Sequence, residues 1–248
     1  MTETVGELDA VLARLAELTG LAVAFVTAAA RGAHAALSTG GPRRSGDLAV
    51  IDDTLRDGLA PGGLVHGGGF VAAVGGLDDH RWWLEWFARD TDDRPQRLVV
   101  QTDSTAMGFY DYEHLPWYTV PRETGRPHVT GPYVDYLCTE DYTLTFTEPV
   151  VVDGTFLGVA GCDVKVHVAE RFLLPTLQAC TGRVAIVNEH GRILTSNTGR
   201  AVSGDLIEPL DVLLRLWEDE SAHSAVRRLD GTPLAVVSLD ALDALARA

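Results

Sequence analysis

All six tyrosines of this 248-residue sequence fall between positions 110 and 142, a stretch that also holds Trp117 and Asp135, with Asp163 a little beyond it. Tyrosine and tryptophan rings present electron-rich faces that attract ammonium groups, and a carboxylate neutralises such a cation through charge-assisted hydrogen bonds. Aromatic residues concentrated beside two acids therefore fit a cage with an anionic floor, suited to a small organic cation. An ammonium has three N–H donors, which two carboxylates and a backbone carbonyl would satisfy. The same residues would also serve as the aromatic core of a sheet, and composition alone leaves both readings open.

Other chemistries find little support. The sequence contains no GxGxxG, no P-loop and no HExxH. Cys138, Cys162 and Cys180 are widely spaced and form no CxxC pair, so buried free thiols are expected rather than a zinc site or a disulfide framework. No cofactor and no metal is expected. Asp135 and Asp163 could be read as a catalytic carboxylate pair with His114 as base, but no nucleophile elbow or cofactor loop accompanies them. Binding accounts for the same residues, and the expectation is a non-catalytic protein. A net charge of −15 disfavours nucleic acid and anionic membrane as partners. The acidic start, MTETVGELD, lacks the basic segment and compact apolar core of a secretory signal. Residues 18–30 are too short and too alanine-rich to span a bilayer, so a cytoplasmic location is expected.

The elements that must position these residues follow from periodicity. Apolar positions recur at helical spacing over residues 4–38, as one long helix or two broken near Gly20. A short helix over residues 47–57 ends at Gly58. Strands follow at 69–74, 81–88 and 98–101. In the second of these, Trp82, Leu84 and Trp86 share one face and Trp83, Glu85 and Phe87 the other. The three tryptophans are expected to fill the core between the sheet and the long helix, with lining of the cage as the alternative. Residues 110–142 mix loop with short strands. Strands at 144–152 and 156–164 are joined by Asp153-Gly154, a strong hairpin signal. A helix at 168–181, a hairpin after Gly182, a helix at 207–219 and strands at 224–229 and 234–239 complete the chain.

The quartet Leu115-Pro116-Trp117-Tyr118 is followed by Gly131-Pro132-Tyr133, by Thr145-Phe146-Thr147-Glu148-Pro149-Val150 and by Gly158-Val159-Ala160-Gly161-Cys162-Asp163. Together these resemble the double Cache sensor family, the PAS-like ligand-binding modules of chemoreceptors and sensor kinases, over roughly residues 60–240. The resemblance implies an α+β fold: a long N-terminal helix, a PAS-like antiparallel sheet and a smaller second PAS-like module. The corresponding division is a helical segment at 1–58, a ligand-binding module at 59–181 and a smaller module at 182–248.

In the amine- and amino-acid-binding members of that family, a tyrosine, the Trp-Tyr pair, a Tyr-x-Asp and the final Asp surround the ligand. Carried over by position, the implied site is Tyr110, Trp117, Tyr118, Tyr133, Asp135 and Asp163. One position departs from the pattern. Where the amino-acid readers hold an Arg that forks onto the ligand carboxylate, this sequence has Leu115. The departure favours an amine, diamine or quaternary amine over an amino acid, although Arg122 and Arg126 lie close enough in sequence to substitute. Asp163 could instead cap the following helix. The acids crowding Asp135 (Glu140 and Asp141) leave its register open. A further reading is a dimeric interaction module: the Val5, Leu8, Leu12 and Leu15 stripe of the N-terminal helix could form a homodimer seam. A ligand signal would then pass to a separate partner protein of unknown identity.

Overall fold

Thr2–Leu37 forms one uninterrupted helix, α1, in the computed structural model, which describes residues 2–134, 142–219 and 225–247. Leu8, Val11, Leu15, Leu18, Ala22, Val26, Ala29 and Ala33 are buried along it, three or four residues apart, as a single apolar stripe requires. Gly20 does not break the helix, since the stripe continues on both sides of it. Taken over Val5–Leu37, the helix is long and apolar enough to cross a bilayer, with mean hydropathy 1.7 over its best window, where the shorter stretch 18–30 read as insufficient. A buried stripe of this kind is equally that of a core helix.

After α1 come a 3-10 turn at Ser45–Ile51 and a short helix, α2, at Asp52–Gly58, where one helix was expected. Strands β1 (Gly67–Ala72), β2 (Leu84–Arg89) and β3 (Pro95–Arg97) follow, then helix α3 (Pro116–Thr124) and strands β4 (His128–Val134), β5 (Tyr142–Val152) and β6 (Thr155–Lys165). These six strands form one sheet in the order β3-β2-β1-β6-β5-β4. The β5–β6 turn is Asp153-Gly154, both with positive φ (51° and 77°), the backbone that a two-residue hairpin turn demands. The remainder is α4 (Val166–Gln178), β7 (Val184–Asn188), β8 (Ile193–Ser196), α5 (Leu210–Glu218), β9 (Val226–Arg228), β10 (Leu234–Ser238) and α6 (Leu239–Ala246). Here a second antiparallel sheet runs β8-β7-β10-β9. The expected α+β class, with a long helix and two PAS-like modules, is borne out.

The chain divides into two compact units: residues 1–20, 131–144 and 165–248 in one, and residues 21–130 and 145–164 in the other. The first is built on the four-stranded sheet, whose Ala185, Val187, Val237, Leu213 and Leu242 form a closed apolar core. The second contains most of the six-stranded sheet and the aromatic segment.

In that second unit the two faces of the sheet do different work. A Cβ placed on Gly68 would collide with the Phe25 ring of α1, and the Cys162 thiol reaches the Ala22 carbonyl of the same helix at 3.6 Å. The helix therefore covers the face that carries Gly68, Phe70, Glu85, Phe87 and Cys162. Strand alternation puts Gly67, Gly69, Trp86, Gly161 and Asp163 on the opposite face. The expectation that all three tryptophans fill the core against the long helix is corrected for Trp86, which lies on the face away from α1; Trp82, ahead of β2, packs edge-on against Phe109 and Tyr112. Trp83 stacks on His80 and donates to Glu85.

Candidate binding face

Residues 116–124, expected as loop or short strand, are the helix α3, and it carries the Trp-Tyr pair. Leu115 is extended at its N-cap, Pro116 supplies the preset φ of a first helical residue, and Gly125 closes it in the left-handed conformation at φ 66°. The signals were in the sequence, but nine residues with Pro121 in the middle show little helical periodicity.

The centre of the aromatic cluster is Tyr112, a residue that the motif did not single out. Its ring stands 6.2 Å from Tyr110, 6.4 Å from Trp117, 5.2 Å from Tyr118 and 5.0 Å from Trp82, centroid to centroid. It is fully buried, and its hydroxyl donates to the Ala72 carbonyl at 2.8 Å. Burial pushes its phenol well above the usual tyrosine range, so it is a neutral donor at any physiological pH. Tyr118 is also buried and its phenol raised by desolvation, against the opposing pull of Arg122. The Arg122 guanidinium sits over the Tyr118 ring at 5.5 Å, and Phe156 meets that ring edge-on at 5.7 Å. Three of the sequence-derived site residues, Tyr110, Trp117 and Tyr118, are thus gathered around one hub.

Asp163 stands near the end of β6, nine-tenths buried, opposite Gly67 of β1. Thr145 of β5 donates to its Oδ1 at 2.7 Å. The N-cap of the following helix is Lys165, and no side-chain cap bond is made there. Gly67 and Ala72, which mark the acid end and the Tyr112 end of β1, are five residues apart, about 17 Å along a strand. Trp86 pairs with Gly69 between these ends, and Trp82 lies beyond Leu84 towards the Tyr112 end. The Trp86 indole thus shares the face of the buried carboxylate, and the tyrosine cluster, with Trp82 against Tyr112, gathers at the other end of β1. Tyr133 is half-buried on β4, in the stretch grouped with the other compact unit. Asp135 lies outside the described residues, as do Tyr136 and Cys138. Among the described residues no cluster of His, Cys, Asp and Glu suited to a metal ion occurs.

The position of the missing arginine is Leu115, half-buried at the start of α3. Arg122, a candidate substitute, is engaged with Glu113 at 3.8 Å and Glu123 at 3.6 Å in addition to Tyr118. Arg126 is exposed. His114 is exposed beside Asp111, as a surface histidine.

Comparison with known proteins places this geometry. Residues 88–168 match the family described as methyl-accepting chemotaxis protein-like, first PDC sensor domain. Among curated proteins, the methyl-accepting chemotaxis protein TlpQ of Pseudomonas aeruginosa is 28% identical over 96 residues, 38% of this chain. The match spans 13% of that relative's length. Solved structures share the fold over nearly the whole chain. A methyl-accepting chemotaxis protein X aligns with TM-score 0.65 at 14% identity, covering 95% of this chain and 94% of its own. The ligand-binding domain of the Campylobacter jejuni chemoreceptor Tlp3 in complex with L-valine aligns with TM-score 0.61 at 13% identity, covering 98% and 94%. The extracellular domain of a putative histidine kinase, mmHK1S-Z3, gives 0.61 at 16%, covering 95% and 92%. The matched segment contains the Trp117-Tyr118 pair, Thr145 and Asp163, the residues around which the face is built. Residues 88–168 are thus similar to the first PDC sensor domain of chemotaxis receptors, and the chain as a whole shares the fold of solved chemoreceptor and histidine-kinase sensor domains.

Proposed function

We propose that the protein recognises a small organic cation, with Asp163 holding the ammonium and the aromatic residues around Tyr112 closing over the rest of the ligand. The observation that carries the reading is the buried Asp163 carboxylate on the sheet face away from α1, the face that also bears Trp86. Each charge-assisted hydrogen bond to the ammonium would contribute roughly 1.5–3 kcal/mol, and each desolvated cation–π contact about 1–2 kcal/mol. Tyr133 and Asp135 remain candidates for the same cage, on the family pattern.

Simple amines are favoured over amino acids. Leucine at position 115 cannot fork onto a carboxylate, and Arg122 is already engaged by Glu113 and Glu123. The competing reading is an α-amino acid, which the Tlp3 complexes with L-valine and isoleucine support. A thermal-shift screen of amines against the α-amino acids that yield them on decarboxylation separates the two. At a hundredfold excess over Kd, binding adds about 2.7 kcal/mol, or roughly 5–10 °C in Tm for a chain of this size. Shifts with amines alone support the proposal. Shifts with the amino acids alone would replace it by the competing reading.

A further inference from the structure

Two buried polar atoms beside Asp163 lack a hydrogen-bond partner, the indole Nε1 of Trp86 and the hydroxyl Oγ1 of Thr130; the Trp82 Nε1, next to Tyr112, is a third further along. Buried polar groups are almost always paired, and an orphaned donor costs about 1–3 kcal/mol, so each orphan calls for an explanation. Trp86 is 6% exposed, and its indole lies low over a strand surface built of glycines. A Cβ on Gly67 would come within 3.2 Å of Nε1, and one on Gly161 within 3.4 Å of the far corner of the ring. The ring thus spans from Gly161 to Gly67, with its N–H end at Gly67. Gly67 is also the residue opposite Asp163. Directly opposed residues in an antiparallel pair have Cβ positions about 5 Å apart, which places the orphaned N–H within about 8 Å of the acid's Cβ.

Thr130 flanks Asp163 on the other side. Thr147 of β5 donates to the His128 carbonyl of β4 at 3.4 Å, and Gly131 faces Leu144, so the two strands run in opposite directions. Counting on from His128 and Thr147, Thr130 falls across from Thr145, the residue bonded to Asp163. The acid therefore stands between an indole donor and a hydroxyl, neither of which is satisfied.

We infer that the ligand is a monocation bearing a hydrogen-bond acceptor a few bonds from its ammonium, the acceptor being taken by Trp86 Nε1 while the ammonium sits on Asp163. This rests on the cation reading above and narrows it. A diammonium ligand would bring donors against a donor, and a purely aliphatic amine would leave the indole N–H orphaned. A short amino alcohol, or an amine carrying a carbonyl or ring nitrogen, supplies what the site lacks.

The test is calorimetric titration with aminopropanol, diaminopropane and butylamine, three chains of equal length ending in a hydroxyl, a second ammonium and a methyl. The wild-type chain should bind aminopropanol about tenfold more tightly than butylamine, the worth of one hydrogen bond, and diaminopropane most weakly. Trp86→Phe, which keeps a smaller aromatic ring and removes the N–H, should abolish the preference, so that aminopropanol and butylamine bind the variant equally. Equal binding of all three by the wild type overturns the inference while leaving the cation site intact, and needs no variant. Equal weakening of all three by Trp86→Phe overturns the donor role. Failure of every amine to bind removes the cation reading, and the inference with it.

Discussion

Replacing Asp163 by asparagine tests the cation site with the least collateral change. Asparagine has the same shape and keeps an oxygen to accept the 2.7 Å bond from Thr145, so the local hydrogen bond survives. What disappears is the negative charge, at a position nine-tenths buried. A charge-assisted bond to the ligand contributes roughly 1.5–3 kcal/mol, and the asparagine N–H₂ would now face the ammonium as a second donor. The combined loss should be about 2–4 kcal/mol, or roughly 30- to 700-fold in Kd. A melt of the unliganded variant separates a lost ligand contact from a lost fold, since Asp163 also has partners within the protein. The assay is titration of wild type and variant with the best amine from the screen, with a thermal melt of each unliganded protein alongside. Loss of affinity with an unchanged or raised Tm supports the site. Affinity within threefold of wild type would refute the reasoning, since a cation seated on Asp163 cannot be indifferent to its charge.

Other perturbations probe the frame around that acid. Leu115→Arg should raise affinity for α-amino acids relative to their amines by tenfold or more, measured by competition titration, if the N-cap of α3 is where a ligand carboxylate would lie. Tyr112→Phe removes a buried hydroxyl that donates to Ala72 at 2.8 Å. It should destabilise the unliganded protein by about 1–2 kcal/mol, a Tm lower by roughly 2–8 °C in a calorimetric scan. Glu85→Gln has a pH signature. Burial raises the Glu85 carboxyl above its usual 4.5, only partly offset by Arg97. The folded chain then holds that proton more tightly than the unfolded chain does. Its contribution to stability is complete below the unfolded pKa and is lost as pH rises through the folded one. Going from about pH 4 to about pH 7, the glutamine variant should therefore gain stability relative to wild type in urea titrations, and a difference that stays flat would refute the assignment.

The sequence was most legible where one face of an element is apolar over many residues. The α1 stripe from Leu8 to Ala33 and the Asp153-Gly154 hairpin were both readable, because each rests on local rules that packing did not override. The helix α3 was not, although Pro116 and Gly125 mark its ends, because nine residues carry too little periodicity to outweigh Pro121. The side of the sheet taken by Trp86 was the larger miss. Alternation correctly set Trp86 apart from Glu85 and Phe87, but alternation cannot say which face a helix will cover. That was decided by glycines, since Gly68 admits the Phe25 ring and Gly67 admits the Trp86 indole. Tyr112 was hidden for a related reason. Nothing in the spacing of six tyrosines distinguishes the one that becomes the hub, because its role comes from a long-range bond to Ala72.

The two buried acids of the sheet show how the faces divide the work. Glu85 looks towards the helices, where Arg97 meets it at 2.6 Å and Trp83 donates to it at 3.3 Å. Arg97 offsets its burial only in part and its Oε1 lacks a hydrogen-bond partner, so its titration is a matter of stability. Asp163 looks the other way, beside an unfilled donor at Trp86. Asp163 keeps partners within the fold, the Thr145 hydroxyl among them, so what that face leaves open is the Trp86 N–H. On the proposed reading, a ligand with a cationic end and an acceptor would meet Asp163 and Trp86 together. On that reading a short ligand would have its charged end at Asp163, and the residues towards Tyr112 would select among the molecules that share that end.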